Sequence, residues 1–225
     1  MISRHEHYQE QHAILDNFIR GGQAGFTEEA LNTYYNQHNG DALAGYIGRH
    51  FDTWGGHRGD DESVKDVIDS TDVAALSALS IDRGIAKIHL GIQANNAELN
   101  SLLGEIPVNV PLYAPEAIEY INNDSAGEAL WRLLKQSGGK NLRVAAYKMT
   151  ARKRPDLFPV YDTVTEKELK YPTDIWNCLY TYFRRDPSRV EDIRARRAAA
   201  EISQQPTELR CLDVALWMSG IRKRS

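Results

Sequence analysis

Cysteine is scarce in this sequence of 225 residues, which contains only Cys178 and Cys211. Two cysteines are too few for a disulfide framework, a four-cysteine zinc site or an iron–sulfur cluster, so we expect free, buried thiols. No apolar run approaches the roughly 20 residues that span a bilayer. The polar start, MISRHEHYQEQH, also lacks the apolar centre of a signal peptide. These absences predict a soluble cytoplasmic protein with no membrane partner.

The motifs of several enzyme classes are also missing. There is no G-x-x-x-x-G-K-[ST] or G-x-G-x-x-G motif to bind a nucleotide phosphate, and no G-x-S-x-G nucleophile elbow. His50, His57, Asp60 and Asp61 lie close together in sequence, but their spacing fits no standard metal-ligand pattern. We therefore expect neither a metal nor a cofactor.

The residues that are present indicate an all-α fold. Hydrophobic residues make up 42% of the chain and charged residues 26%, as in ordinary globular proteins. Apolar residues recur at helical spacing in most segments, and no convincing alternating strand or internal repeat is found. Helices are predicted near 4–20, 27–35, 71–79, 84–91, 95–104, 125–137, 141–153, from 162–166 onward, and near 172–185, 188–203 and 207–221. Thr71 and Ser125 are expected to cap two of them, the latter in a capping box with Glu128.

A proline-rich segment provides the best internal boundary. EIPVNVPLYAPEA contains three prolines, so residues 106–114 should be an extended connector. This predicts an N-terminal helical region over 1–105, with a glycine-bearing aromatic loop at 46–62, and a C-terminal region over 106–225. We expect the two regions to interlock as one globular unit.

Positive charge is concentrated in one stretch of an acidic chain. Six cations and no acid lie between Lys140 and Pro155, whereas the remainder has 21 cations and 31 acids. A tight turn between two helices exposes backbone N–H groups that bind anions. On a helical wheel, Leu142, Ala145, Ala146 and Met149 share an inner face. Lys140, Arg143, Tyr147 and Arg154 share an outer face. This outer face is either a phosphate site or a solvated surface whose cations pair with the protein's own acids.

Asp162 begins a helix in the segment PVYDTV. Backbone N–H groups at a helix start keep a carboxylate ionised, which makes it a poor general acid but a good stabiliser of positive charge. Such charge develops on the oxocarbenium-like sugar when a glycosidic bond breaks. Alternatively, Asp162 only caps the helix. Thr163 and Glu166 form a T-x-x-E pattern that would cap the helix without Asp162.

The order of these features resembles the helix-hairpin-helix DNA glycosylase superfamily over about 40 residues. In that superfamily a hairpin binds phosphate and an aspartate at the start of the next helix serves catalysis. The stretch AYKMTARKRPDLFPVYDTVT, with LWRLLK upstream and CLDVALWMSG downstream, also resembles an uncharacterised bacterial family over most of the chain.

The glycosylase resemblance implies an all-α fold with a helix-hairpin-helix-like element and roles for particular residues. It implies catalysis by Asp162. It implies DNA binding by Gly138, Gly139, Lys140, Asn141, Arg143, Tyr147, Lys148 and Arg154. The family's Gly-hydrophobic-Gly hairpin is replaced by Gly138–Asn141, and the strand-cutting members' hairpin lysine has no counterpart, since Lys140 is shifted and Lys148 lies inside a helix. This departure implies a monofunctional enzyme that uses water as its nucleophile.

A glycosylase also needs a pocket for the flipped base, lined by rings and polar groups. The aromatic loop supplies candidates for this lining, and its glycines would allow it to close. They are Tyr46, His50, Phe51, Asp52, Trp54 and His57. The same residues fit an ordinary aromatic core.

We therefore expect a DNA glycosylase that removes a damaged or modified base in DNA repair or in defence against phage DNA. A net charge of −4 predicts no strong general affinity for nucleic acid. The alternatives are a non-catalytic nucleic-acid-binding module and a protein-interaction module, both using the basic helix 140–154.

Overall fold

The computed structural model describes residues 8–21, 25–36, 44–81, 84–137 and 142–223. Within these ranges the secondary structure is helical and contains no strand, so the predicted all-α class is confirmed. The α-helices are α1 Gln9–Arg20, α2 Glu28–Asn36, α3 Ser70–Ala78, α4 Ile85–Ala94, α5 Asn96–Gly104, α6 Ile118–Ile121, α7 Ala126–Gln136, α8 Arg143–Lys153, α9 Thr163–Glu168, α10 Ile175–Arg185, α11 Ser188–Ala199 and α12 Glu208–Arg222. No helix in the described ranges is both long and apolar enough to cross a bilayer.

Part of the predicted aromatic loop is a 3-10 segment, Ile47–Gly56. Its backbone leaves helical geometry at Thr53 and Trp54, and Gly55 adopts a φ of +83°. A side chain at Gly55 would be strained at this φ and would also meet the Thr71 methyl group. The segment therefore changes direction there and packs against α3.

Helix starts follow from side chains that satisfy backbone N–H groups. Ser125 Oγ accepts a hydrogen bond from the N–H of Glu128 at 3.2 Å, which confirms Ser125 as the cap of α7. Helix α3 differs from expectation, because Asp69 rather than Thr71 caps it. Asp69 Oδ1 accepts hydrogen bonds from the N–H groups of Thr71 (2.8 Å) and Asp72 (3.0 Å). A carboxylate in extended backbone placed two residues earlier is the better acceptor.

The chain divides into two compact units. Unit 1 comprises residues 1–46, 112–115 and 161–225, and unit 2 comprises 47–111 and 116–160. The boundary expected between residues 105 and 106 falls inside unit 2. Residues 106–114 contain no helix or strand, but they form turns at 108–109 and 112–113 rather than the continuous extended connector that was expected. The long-range packing of unit 2 joins the residues on both sides of the expected boundary.

Unit 1 is built around α12, which packs against α2, α9 and α11. Most of α12 is buried, from Leu209 to Met218, while α1 packs on α10 and α11. Cys178 and Cys211 are free and buried in this unit, as expected. Burial raises the pKa of the Cys178 thiol to about 12, so it remains protonated at neutral pH.

Unit 2 is a group of short helices in which α7 packs against α5 and α8. Leu130 and Leu134 of α7 are buried with Leu99 and Leu103 of α5. Helix α8 also contacts α3, and the inner face predicted for it is confirmed at Ala145, Ala146 and Met149.

Candidate functional site

The cations at the end of α8 are buried inside unit 2. Arg152 donates from Nε to Asp72 Oδ1 at 2.8 Å and from its terminal nitrogens to the carbonyls of Phe51 and Trp54. The side chains of both Arg152 and Asp72 are fully buried. Lys153 Nζ donates to Asp72 Oδ2 at 3.2 Å and to the carbonyl of Val64 at 2.7 Å. Burial lowers the pKa of Lys153, and the Asp72 carboxylate opposes this effect.

Arg154 is held in the same way. Its guanidinium donates to the carbonyls of Ile106 (2.6 Å), Lys65 (2.7 Å) and Leu103 (2.5 Å). It also pairs with Asp66 at 2.7 Å, and burial nevertheless lowers its pKa. We name Arg152, Lys153 and Arg154, with Asp66 and Asp72, the buried cation cluster.

The expectation that Arg154 and Lys148 face DNA is wrong in this structure. Arg154 belongs to the buried cation cluster, and Lys148 is buried with its Nζ donating to the carbonyl of Leu79 at 2.6 Å. The predicted wheel placed Arg154 on an outer face, but residues 65–66 and 103–106 enclose its guanidinium. A buried cation whose N–H groups already donate to carbonyls and carboxylates cannot also bind a phosphate.

The structure describes the two helices of the predicted hairpin, α7 and α8, but not the turn between them. The two helices pack together, and the N–H of Leu142 donates to the carbonyl of Lys135 at 3.0 Å. Gly138, Gly139, Lys140 and Asn141, which the resemblance assigns to phosphate binding, lie outside the described residues.

Cations and aromatic rings lie together on the described part of the hairpin. The Lys135 ammonium lies 4.6 Å from the centre of the Trp131 ring. Trp131 in turn contacts Tyr147, with ring centres 5.1 Å apart. Arg143 and Tyr147, both predicted DNA contacts, are half-buried at the start of α8 and in its first half. Trp131 and Lys135 were not predicted, although their i, i+4 spacing in LWRLLK places them on one helix face.

Asp162 is the N-cap of α9. Its Oδ1 accepts hydrogen bonds from the N–H groups of Val164 (2.8 Å) and Thr165 (3.1 Å), and its own N–H donates to Thr165 Oγ1 at 2.9 Å. The capping box is therefore formed by Asp162 and Thr165. The predicted box of Thr163 and Glu166 is wrong, because the helix begins at Thr163, one residue earlier than that pattern requires. Asp162 is half-buried, at the exposed start of a short helix that packs on α12.

A family model matches most of the sequence. The chain belongs to the family of unknown function DUF6308. The match covers residues 27–220. Comparisons with curated proteins and with solved structures gave no match. The DUF6308 match includes the hairpin, the buried cation cluster and Asp162, whereas α1 precedes it.

The predicted base-pocket residues of this DUF6308 protein do not form one lining within either unit. Tyr46 belongs to unit 1, where its ring stacks on Tyr34 at 5.4 Å and meets Trp217 edge-on at 5.6 Å. Phe51 belongs to unit 2 and is fully buried, so the expectation that it lines an open pocket is wrong. The alternative of an ordinary aromatic core describes both residues better.

The other predicted pocket residues are half-buried in unit 2. Trp54 offers its carbonyl to Arg152, and Asp52 is near enough to Arg58 to help raise the pKa of that arginine. His50 Nε2 is buried and has no hydrogen-bond partner in the described part of the chain. His57 Nδ1 lies 3.0 Å from the carbonyl of Arg58. No group of three histidine, cysteine or acidic residues in the described ranges has an arrangement that would hold a metal ion.

An open cavity of about 670 Å³ lies in unit 1. It is lined by Ile19, Arg20, Glu28, Asp192, Ala195, Arg196 and Ala199. Its charges are paired internally, with Arg20 at 2.7 Å from Asp192 and Arg196 at 3.4 Å from Glu28. No residue predicted for DNA binding or catalysis lines it.

Proposed function

We propose that this DUF6308 protein is a monofunctional DNA glycosylase, which hydrolyses the bond between a damaged or modified base and its sugar. One observation supports the proposal above the others. Two packed helices, α7 and α8, are followed, after eight intervening residues, by an aspartate whose carboxylate caps the next helix. That order of elements is the one by which the sequence resembles the helix-hairpin-helix glycosylases.

In the proposed reaction the C1′–N bond breaks and its electron pair leaves with the base. Asp162 stabilises the positive charge on the sugar through space, and water adds to C1′. The proton released by water goes to the departing base. Lys148 is not a candidate nucleophile, because its ammonium is buried against the carbonyl of Leu79. This arrangement supports a water nucleophile over a lysine one.

DNA is the proposed partner, and the hairpin is the proposed contact with its backbone. Arg143, Tyr147 and Lys135 are the described side chains that support this role, together with the predicted contacts at Gly138–Asn141. Trp131 and Tyr147 add rings beside these cations, as in proteins that bind nucleic acids through charge and stacking. The protein would act in the cytoplasm, in DNA repair or in defence against phage DNA.

The test is base release from DNA by the wild type and by Asp162→Asn. Ordinary, alkylated and phage-modified genomic DNA are incubated with protein, and abasic sites are counted. Asparagine caps helices as well as aspartate does, so the variant should fold while losing the negative charge. We expect abasic sites from the wild type and a loss of at least about a hundredfold in the variant, as for removal of other electrostatic contacts in active sites.

Asp69→Asn is the matched control. Asp69 also caps a helix through hydrogen bonds to two backbone N–H groups and also takes part in a capping box. It should leave base release unchanged. If the wild type produces no abasic sites on any of these substrates, or if Asp162→Asn remains fully active, the catalytic proposal is wrong.

A non-catalytic nucleic-acid-binding protein is the second candidate. The observation that favours it is the capping box of Asp162 and Thr165, which accounts for this carboxylate by helix stability alone. It predicts DNA binding that weakens steeply with salt, no base release and no effect of Asp162→Asn on binding. The protein-interaction alternative differs from both because it predicts no binding to DNA.

A further inference from the structure

The loop after α9 holds an aromatic side chain on unusual backbone. Lys170 and Tyr171 are consecutive non-glycine residues with φ angles of +50° and +57°. This left-handed region is unfavourable for residues with a Cβ atom, and two such residues in succession are rare. Glycine would adopt it without penalty. The sequence has lysine and tyrosine there instead, so the side chains are retained in spite of the backbone strain.

Contacts from two helices hold this loop in place. The N–H of Tyr171 donates to the carbonyl of Glu166 at 2.8 Å, and the N–H of Lys170 donates to the carbonyl of Lys167 at 3.1 Å. From α1, the side chain of Gln11 donates to the carbonyl of Lys170 at 3.4 Å, and Glu10 pairs with Lys170 Nζ at 2.6 Å. The strained conformation is therefore fixed by its surroundings.

The result of this geometry is an exposed tyrosine ring. Tyr171 is 59% exposed, in contrast to the buried Leu169 and Pro172 beside it. Neither its ring nor its hydroxyl has an aromatic or hydrogen-bond partner among the described residues. Strained backbone that presents an exposed side chain is characteristic of binding sites.

Two exposed cations accompany Tyr171. Lys167 lies on α9 and Arg222 on α12, and neither has an acidic partner in the described ranges. The two helices are in close contact, because a Cβ atom at Gly220 would lie 2.5 Å from the Val164 side chain. Lys223 and Glu168 join the same helix ends at 2.5 Å. Lys167 precedes Glu168 and Arg222 precedes Lys223, so both cations lie where the two helices end, and Tyr171 follows the end of α9 by three residues.

We propose that Tyr171 stacks on an unpaired base of a DNA strand while Lys167 and Arg222 bind adjacent phosphates. Exposed rings flanked by cations are the usual means of binding single-stranded nucleic acid. The proposal rests on the proposed function for the identity of its partner. Helix α9 has six residues and is about 9 Å long, so Tyr171 and Asp162 lie at opposite ends of one short element.

The test measures binding of a short fluorescein-labelled single-stranded DNA by anisotropy. We expect Tyr171→Ala to weaken binding about tenfold and Tyr171→Phe to retain it, because a base stacks on either aromatic ring. Tyr171→Gly should weaken binding as alanine does while raising the melting temperature, because glycine relieves the backbone strain. Unchanged binding by Tyr171→Ala would overturn the proposal, as would an absence of binding by the wild type.

The cations are tested by the salt dependence of the same binding. Each phosphate contact on a single strand contributes about 0.7 to the slope of log affinity against log salt, so removing both Lys167 and Arg222 should lower the slope by about 1.4. The matched control replaces Arg184 and Arg185, which are exposed on α10, and should leave the slope unchanged. An equal decrease in both double variants would overturn the phosphate assignment, as would tighter binding to polyglutamate than to DNA.

Asp162→Asn separates this proposal from the catalytic one. It should bind the labelled strand like the wild type while losing base release. If no substrate loses a base but binding still depends on Tyr171, the glycosylase proposal fails and the stacking proposal stands.

Discussion

At Asp162 a single carboxylate oxygen accepts two backbone hydrogen bonds at the start of α9. Loss of such a cap to alanine costs about 1 kcal/mol, whereas asparagine preserves the hydrogen bonds. We therefore expect Asp162→Ala to lower the free energy of unfolding by about 1 kcal/mol and Asp162→Asn to leave it nearly unchanged. Urea denaturation followed by circular dichroism measures both. Equal destabilisation by the two variants would mean that the charge, rather than the cap, holds the helix.

Asp186 provides a prediction about pH. Hydrogen bonds from Ser188 and Arg20 lower the pKa of Asp186 to about 2. The pKa of an unfolded aspartate is about 3.9. This group therefore contributes stability above about pH 4, and the contribution is lost as the pH falls from about 4 to about 2.

Ser188→Ala removes the largest cause of that shift. We expect the pKa of Asp186 to rise toward its ordinary value and the acid-sensitive part of the stability to decrease. A carboxyl NMR titration reads the pKa directly. Ser77→Ala is a suitable control, since Ser77 Oγ donates only to the carbonyl of Ala74 and touches no carboxylate. An unchanged pKa in Ser188→Ala would show that Arg20 and the backbone N–H of Ser188 set it without the hydroxyl.

At the scale of the element, α8 shows where sequence patterns succeed and where they stop. Apolar spacing identified its inner face, at Ala145, Ala146 and Met149, because that face follows from helix geometry alone. The burial of Arg152 depends on Phe51, Trp54 and Asp72, which lie 80 or more residues away in sequence. Nothing in the local charge pattern distinguishes a cation that will meet such partners from one that will meet solvent.

The buried cation cluster should dominate the stability of α8. Removing one member of a buried ion pair leaves its partner charged and unpaired, which costs about 3–5 kcal/mol. We expect Arg152→Met to destabilise the protein by that amount in urea denaturation. Arg132→Met removes a cation from the neighbouring helix α7, where Arg132 pairs with Glu128 on the surface. That control should cost no more than about 0.5 kcal/mol. Similar costs for the two variants would contradict the central role of the cluster.

Only part of the candidate site was predictable from the sequence. The position of Asp162 at a helix start was predictable, since it depends on local capping residues. The predicted base pocket is not formed by the residues predicted for it, because long-range packing buries Phe51 and the Tyr46 ring stacks on Tyr34. Tyr171 was not predicted either, since no sequence pattern marks a tyrosine that will adopt a positive φ.

At the scale of the whole molecule, the path of the chain decides which pieces fold. Unit 2 is assembled from 47–111 and 116–160, so a break between 105 and 106 divides it. Asp66 and Asp72 would lie on one fragment, and Arg152 and Arg154 on the other. We expect fragments 1–105 and 106–225, expressed separately, to lack cooperative thermal unfolding, because the second fragment would expose three cations without their partners. Calorimetry measures this. A cooperative transition in either fragment alone would show that the division of the chain into units is wrong.

The buried cation cluster also provides a way to measure how often unit 2 unfolds. In an unfolded chain, the bonds after Arg152 and Lys153 are ordinary trypsin sites, and Pro155 protects only the bond after Arg154. In the native protein the same side chains are enclosed, so the protease reaches them only when unit 2 opens. The rate at which trypsin cuts within residues 152–154 therefore measures how often that unit unfolds.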